Sequence, residues 1–393
     1  MSARICVLGC GPAGMVTALG LAQLGHEVTL VGEIRPYPVC EGISPRVCQA
    51  LVDKQLRYAL GTVSKPVRRY AQWGGQGREA NVEHLLYRPD FDRAMLEDLS
   101  RQGIPWLQGR IRGQVPRESG WSIEVDTAEG RETREADFIV EARGRAATLA
   151  GGKRERGPET VSLACNWQGE KDDPFTAVAS LEQGWLWLAR FTDGRFFTQF
   201  STYAKNPLLP AKQEIRSLLD RMLDALKLPG VSLVERAPRG TPLARSSTAI
   251  LPGEAYSSGC LRVGDAAMAV DPLSGNGIFQ SLSSALAAAP VINTLLRRPG
   301  DADMALAFYR DRQHHLFFRF ARIGRDFYRD ETRWHDQPFW LQRRGWPDEE
   351  PSHVELDRVI GHAERPVIHH GFIETRTVVI TADQPLGAAH VAP

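Results

Sequence analysis

The chain opens on an apolar run, Ile5-Cys6-Val7-Leu8, that breaks into glycines at Gly9-Cys10-Gly11-Pro12-Ala13-Gly14 and then turns helix-like from Met15 to Gly25. A second β-prone run, Val28-Thr29-Leu30-Val31, follows. This order predicts strand, tight turn, helix and strand, the setting in which a Gly-x-Gly-x-x-Gly triplet binds a dinucleotide. Gly9 serves the turn, Gly11 lets backbone approach a pyrophosphate, and Gly14 allows close helix–strand packing. Pro12 and Ala13 start the helix, whose free N–H groups favour phosphate charge. An acidic residue at the second strand's end should meet the adenosine ribose. Here Gly32 holds that place, so Glu33, one residue on, is the candidate.

Further along, Arg46 to Leu56 reads as a short helix and Val67 to Trp73 as a strand broken at Gly74-Gly75-Gln76-Gly77. A helix opens near Tyr87-Arg88-Pro89-Asp90 and runs to about Gln102, with Asp90 as its expected N-cap. Arg110–Pro116 and Trp121–Asp126 suggest a hairpin, and Asp137–Arg145 a strand ending in a glycine turn. Residues 158–240 change character. Aromatic and β-branched runs (Thr160–Trp167, Thr176–Leu181, Gly184–Phe191, Arg195–Tyr203) alternate with turns and predict an antiparallel sheet. Gln213–Leu226 follows as an amphipathic helix carrying Ile215, Leu218, Leu219, Met222, Leu223 and Leu226. Cys260–Asp265 returns to a buried strand, followed by a long Ala/Leu helix from Gly277 to Leu296. Phe308, Arg312, Leu316, Phe320, Ile323 and Phe327 form a helical stripe expected to face the core. Thr377–Thr381 is strand-like, and the tail beyond it is expected to be mobile.

At 393 residues the chain is long enough for a large core and two interleaved domains. A net charge of +1 gives no global attraction to nucleic acid or anionic membrane. Neither a signal peptide nor an uninterrupted membrane-length apolar run is expected. The six cysteines show no CxxC pairing and suit a reducing cytoplasm. His314-His315 and His369-His370 lack ligand-spaced carboxylate or thiol partners, so no metal site is expected.

Four stretches stand in order: the N-terminal fingerprint; Arg88-x-x-Phe91-Asp92; Val140-Glu141-Ala142-Arg143-Gly144-Arg145; and Gly264-Asp265-Ala266-Ala267 with Asp271-Pro272-Leu273-Ser274-Gly275-Asn276-Gly277-Ile278. Over most of residues 1–330 they resemble the FAD-dependent aromatic hydroxylases, tryptophan halogenases and geranylgeranyl reductases. The resemblance implies an α/β fold: a Rossmann-like, three-layer FAD-binding domain, an interleaved antiparallel-sheet substrate domain and a helical C-terminal region. The expected boundaries are 1–157 for the FAD domain, with a substrate-domain insertion at about 60–87, and 158–240 for the substrate sheet. Residues 241–330 would complete the FAD domain, and 331–393 would cover the substrate or dock it. Asp265, at a strand's carboxyl end, would accept from a ribityl or ribose hydroxyl. The Gly275-Asn276-Gly277-Ile278 turn would face the flavin's pyrimidine edge. Arg88 and, through its backbone, Ile111 would reach the cofactor, while Arg143 stands where a small residue is usual.

Cys40-Glu41-Gly42-Ile43-Ser44-Pro45 resembles the halogenase flavin loop, and Gly184-Trp185-Leu186-Trp187 their Gly-Trp-x-Trp strand. Trp185 and Trp187, two apart on one strand face, would wall an indole-sized pocket. Trp334, Phe339 and Trp340 resemble residues beside the halogenase substrate and also suit a polypeptide-docking surface. Halogenation needs a lysine relaying hypohalous acid. Lys65 has a comparable spacing to Trp73 but precedes Pro66 in a loop, and reads as solvated.

Together these features resemble the flavoproteins that hydroxylate a tryptophan side chain during tryptophylquinone maturation. The implied reaction is electrophilic transfer from a flavin hydroperoxide formed with O2, with Glu41 and Asp271 as candidate bases. The electrons would come from NAD(P)H directly or through a flavin reductase. The expected partner is a polypeptide carrying the target tryptophan. The alternatives are a tryptophan halogenase, whose product would depend on halide, and a prenyl-chain reductase, which needs a long apolar tunnel. A non-catalytic FAD-binding maturation chaperone would leave its partner's mass unchanged.

Overall fold

The computed structural model describes residues 2–35, 38–147, 154–226, 228, 236–352 and 359–381. The expected mobile tail lies outside these residues.

The N-terminal pattern builds a six-stranded sheet in the order Tyr256–Ser257, Cys260–Arg262, Phe138–Glu141, Arg4–Leu8, Glu27–Gly32, Trp106–Gln108. All neighbours are parallel except the first pair. Alternation along the central strand sorts the layers, because successive side chains point to opposite faces. Ile5 and Val7 join the core beneath the helices Pro12–Gln23, Arg88–Arg101 and Gly277–Arg297, whereas Cys6 and Leu8 meet Ile123 and Val125 of a second, antiparallel sheet. The protein thus has the three-layer α/β architecture. That second sheet has three strands, not the two of the expected hairpin: Gly130–Ala136 pairs along Trp121–Thr127, which pairs with Arg110–Pro116. The polar Gly130–Ala136 lacks the apolar alternation that signals a strand.

The middle of the chain forms a seven-stranded sheet in the order Arg236–Ser246, Thr160–Gly169, Arg195–Tyr203, Gly184–Arg190, Phe175–Leu181, Arg68–Trp73, Gln76–Glu79. Its one parallel joint lies where Arg68–Trp73 pairs with Phe175–Leu181. Leu186 and Leu188 face the helix Ile215–Ala225, while Trp185 and Trp187 point to the opposite side. The glycine-rich break after Trp73 is the turn of a hairpin with Gln76–Glu79.

Three local expectations change. Asp90 is the third residue of the Arg88–Arg101 helix, not its cap, because Pro89 already suits the first turn. The helix after Ser44 ends at Asp53, and a separate short helix, Arg57–Gly61, follows. The 29-residue helix Ala302–Asp330 buries Tyr309, Gln313, Phe317, Phe320, Ala321, Gly324 and Tyr328. The buried stripe is therefore turned by about one residue from the expected one, and Phe327 is exposed. Both registers carry aromatics; the hydrogen bond from Tyr309 to the Arg262 carbonyl (2.7 Å) belongs to the register that forms.

Helix Gly277–Arg297 is long and apolar enough to cross a membrane, but most of it is buried inside the protein. The hairpin Val359–His369/Phe372–Thr381 caps this helix: Asn293 donates to the Gly371 carbonyl at 2.8 Å and Arg298 pairs with Glu374 at 2.8 Å.

Candidate active site

A groove of about 750 Å3 runs over the carboxyl ends of the parallel strands. Gly9, Gly11, Pro12, Ala13, Glu33, Arg88, Ile111, Asp265, Gly277 and Ile278 line it. Gly14 lies behind its floor. A Cβ on Gly14 would stand 2.0 Å from the Gly9 carbonyl, and one on Gly9 (φ +124°) would stand 2.5 Å from the Ala142 carbonyl. Above Gly11 nothing lies within 4 Å, so backbone is bared to the groove at the mouth of the first helix. That opening fits a phosphate group. The displaced acidic position has a local cause. Gly32 packs against Cys10 and Gly9 at a φ of +143°, which strains any residue with a side chain, and the exposed Glu33 follows it.

Arg88 is buried at the groove wall. It donates twice to Asp92 (3.0 and 2.9 Å) and once to Glu41 (2.6 Å). Burial works against its charge, but Glu41 and Asp92 outweigh it and hold the guanidinium's pKa above its usual value. Asp265 follows the strand Cys260–Arg262 in a single 3-10 turn, 3.5 Å from Arg145. Its half-buried carboxylate faces the groove, and desolvation raises its pKa despite Arg145. Arg143 also lines the groove and is bound to buried Glu141 and to Gln114.

A second cavity, of about 300 Å3, adjoins the groove and shares Arg35, Glu41, Asp265 and Gly277 with it. Its walls are Trp185, Trp187 and Phe197 from the seven-stranded sheet, Val178, Leu243, and Leu273 and Gly275 from the turn before the long helix. Trp187 packs edge-on to Phe197 at 6.0 Å. Asn276 caps that helix, its amide tied to the Ser274 carbonyl at 2.6 Å, and lines neither space.

Several expected residues sit elsewhere. Asp271 does not line the cavity; its carboxylate accepts from the Leu273 N–H (2.9 Å) and from the Tyr328 hydroxyl (3.0 and 3.2 Å). Burial raises its pKa, against the pull of nearby Arg343. Phe339 and Trp340 are fully buried and line no cavity described here, so they are core rather than pocket wall. Trp340 donates to the Leu181 and Glu182 carbonyls at 3.1 and 3.0 Å and packs with Tyr328 behind Trp185. Trp334 lines a third cavity of about 500 Å3, against Leu218 and Met222. That cavity shares no residue with the groove and is not part of the site. Lys65 is exposed, and no lysine is among the described residues that line the aromatic cavity.

Sequence reasoning missed Glu83. It is only 9 % exposed, lines the aromatic cavity and lies against Gly42. A lone carboxylate between Val82 and His84 carries no motif; strand pairing alone brings it to the flavin loop.

The tryptophan halogenase family profile matches residues 78–366. The chain belongs to this family and is a flavin-dependent oxidoreductase. It is 46% identical to a solved peptidyl tryptophan dihydroxylase, QhpG, described as essential for tryptophylquinone cofactor biogenesis. That match covers 98% of this chain and 89% of QhpG, with a TM-score of 0.85. Tryptophan 2-halogenase of Chondromyces crocatus is 27% identical over 87% of this chain and 71% of its own length. The flavin-dependent halogenase CmlS shares the fold at 16% identity, covering 97% of this chain and 85% of its own, with a TM-score of 0.78.

Proposed function

We propose that the protein is an FAD-dependent monooxygenase that hydroxylates a tryptophan side chain of a polypeptide during tryptophylquinone cofactor maturation. The observation carrying this reading is the aromatic cavity, joined to the nucleotide groove along Glu41, Asp265 and Gly277 and with no lysine among its described lining residues. The likeness to a peptidyl tryptophan dihydroxylase supports the same reading.

The groove residues fit FAD. The backbone at Gly9, Gly11, Pro12 and Ala13 takes the pyrophosphate, with Gly14 packed beneath. Glu33 serves the adenosine ribose, Ile111 the adenine and Asp265 the ribityl chain or ribose. Arg88 fixes the Glu41 loop, while Gly275, Asn276, Gly277 and Ile278 present the long helix's N-terminus to the ring. Bound and reduced, FAD supplies the electrons for O2 cleavage, one oxygen atom entering the substrate ring and the other leaving as water. NAD(P)H is the electron source, directly or through a flavin reductase.

The chain's own side chains do the positioning. Trp185, Trp187 and Phe197 hold an aromatic ring and exclude water from it. Arg88 holds Glu41 at the junction by its hydrogen bond, placed to take the proton that the ring releases. Asp271 acts at one remove: it fixes the Asp271–Gly275 turn through the Leu273 N–H. A volume of about 300 Å3 is at the lower end for ligand sites, on the order of 300–1,000 Å3. It takes one aromatic side chain rather than a long prenyl chain. Exposed Arg35, Arg145 and Arg245 among the lining residues leave the side chain's parent polypeptide outside. The six free cysteines suit a cytoplasmic setting.

The test is mass spectrometry of a tryptophan-bearing maturation substrate after incubation with the holoenzyme, a reductant and O2. A gain of one or two oxygen atoms on tryptophan is expected, with or without halide. Halide-dependent halogenation would make the protein a halogenase. Flavin reoxidation with an unchanged substrate would overturn the reading.

A further inference from the structure

Indole has a single strong donor, its N–H. In an aromatic-walled cavity that group needs an acceptor, because a buried donor left unsatisfied is costly. Among the carboxylates and hydroxyls lining this cavity, most are engaged. Glu41 receives Arg88 at 2.6 Å. Ser162 is bonded to Ser201 and Ser247 at 3.0 and 2.7 Å. Asp265, which lines both cavity and groove, is ion-paired with Arg145 at 3.5 Å. Glu83 differs: it is nine-tenths buried, and its Oε1 has no hydrogen-bond partner. Arg69 Nε forms an ion pair with this oxygen at 3.8 Å, beyond hydrogen-bond range, and makes no hydrogen bond of its own.

The fold makes room for this carboxylate. Backbone bonds between Val67 and Glu83 (2.8 and 3.3 Å) hold its main chain. Its side chain lies across Gly42, where an added Cβ would stand 2.2 Å from Glu83 Oε2. Any residue but glycine at position 42 would displace it.

Building on the tryptophan-hydroxylase reading, we infer that Glu83 is the substrate-contacting carboxylate that accepts the indole N–H of the target tryptophan. Its negative charge also stabilises the positive charge that develops on the indole as an electrophilic oxygen adds to the ring. Glu83 thereby selects an N–H-bearing ring and fixes which edge faces the flavin groove.

The experiment compares indole with 1-methylindole, which has no N–H, as ligands of the oxidised holoenzyme, read by perturbation of flavin absorbance. Wild type should bind indole about tenfold or more tighter, the worth of a hydrogen bond to a charged group. In Glu83→Leu the two ligands should bind alike. Gly42→Ala, which leaves Glu83 present but displaced, should shrink the same ratio. With a peptide that wild type hydroxylates, Glu83→Gln keeps an acceptor oxygen but loses the charge. Its KM should stay within about threefold while kcat falls by about 10²-fold. Flavin content per chain serves as the folding control for each variant. If wild type hydroxylates tryptophan while the ligand ratio is unchanged in Glu83→Leu, the Glu83 assignment is wrong and the function stands. If wild type oxygenates no tryptophan substrate, the functional reading falls, and this inference with it.

Discussion

Glu331 joins the end of the Ala302–Asp330 helix to the seven-stranded sheet, and its replacement by glutamine tests how the wall behind Trp185 is held. The carboxylate is fully buried and receives five hydrogen bonds. Ser180 Oγ (2.6 Å), the Gly74 N–H (2.9 Å) and Arg333 Nη2 (2.7 Å) reach Oε2; Arg333 Nε (2.9 Å) and the Arg333 N–H (3.0 Å) reach Oε1. Burial alone would raise its pKa, but these donors outweigh it and lower the value from 4.5 to about 2. A shift of about 2.5 units is worth about 3 kcal/mol of folding stability. Because the folded pKa is the lower one, this contribution is complete above pH 4.5 and fades as pH falls towards 2. A little under half of it should remain at pH 3. Glu331→Gln removes the titration and turns an amide NH2 towards donors. Denaturant unfolding of both holoenzymes should therefore show the variant less stable by about 3 kcal/mol at pH 7, with the gap roughly halved at pH 3. Taking the difference cancels the other carboxylates, which titrate in both proteins. A gap independent of pH, or below about 0.5 kcal/mol at pH 7, would refute the argument.

Gly14→Ala forces a Cβ against the Gly9 carbonyl, so the purified protein should carry little FAD, read as flavin absorbance per chain. Lys65→Ala should leave tryptophan hydroxylation unchanged with and without halide, since Lys65 is exposed and outside the cavity; a halide-dependent loss would argue for halogenase chemistry. Trp340→Ala empties a fully buried site and should cost about 3–5 kcal/mol by thermal or denaturant unfolding.

What was legible in the sequence depended on short-range pattern. The glycine triplet and its flanking runs specify the nucleotide turn because the geometry is local. The i, i+2 spacing of Trp185 and Trp187 puts both on one strand face without further information. The same reasoning could not separate pocket from core at Phe339 and Trp340, since an aromatic cluster looks alike whether it lines a cavity or packs behind its wall. In the helix Ala302–Asp330 two adjacent stripes were apolar, and tertiary packing chose between them. Asp271 looked catalytic because it stands in the flavin-facing turn; the Tyr328 hydroxyl, 57 residues away in sequence, draws it behind that turn. Glu83 was invisible for the same reason, as nothing local connects it to Gly42.

The small two-stranded ladder of Cys40–Ile43 and His84–Tyr87 explains how one site keeps two compartments. Its register pairs Glu41 with Leu86 and Gly42 with Leu85, so the strand's end delivers Arg88 straight to Glu41 as the next helix begins. The residue before that strand, Glu83, comes to lie across Gly42. One short pairing thus anchors one carboxylate at the junction with the nucleotide groove and sets another at the wall of the aromatic cavity, one of its oxygens without a hydrogen bond. Because side chains alternate along a strand, a one-residue slip would turn Glu41 away from Arg88 and put a side chain where Glu83 lies. The glycine at position 42 and the arginine at position 88 therefore belong to one device. The first makes room for Glu83 at the cavity wall, and the second holds Glu41 at the junction, leaving Glu83 Oε1 without a hydrogen bond.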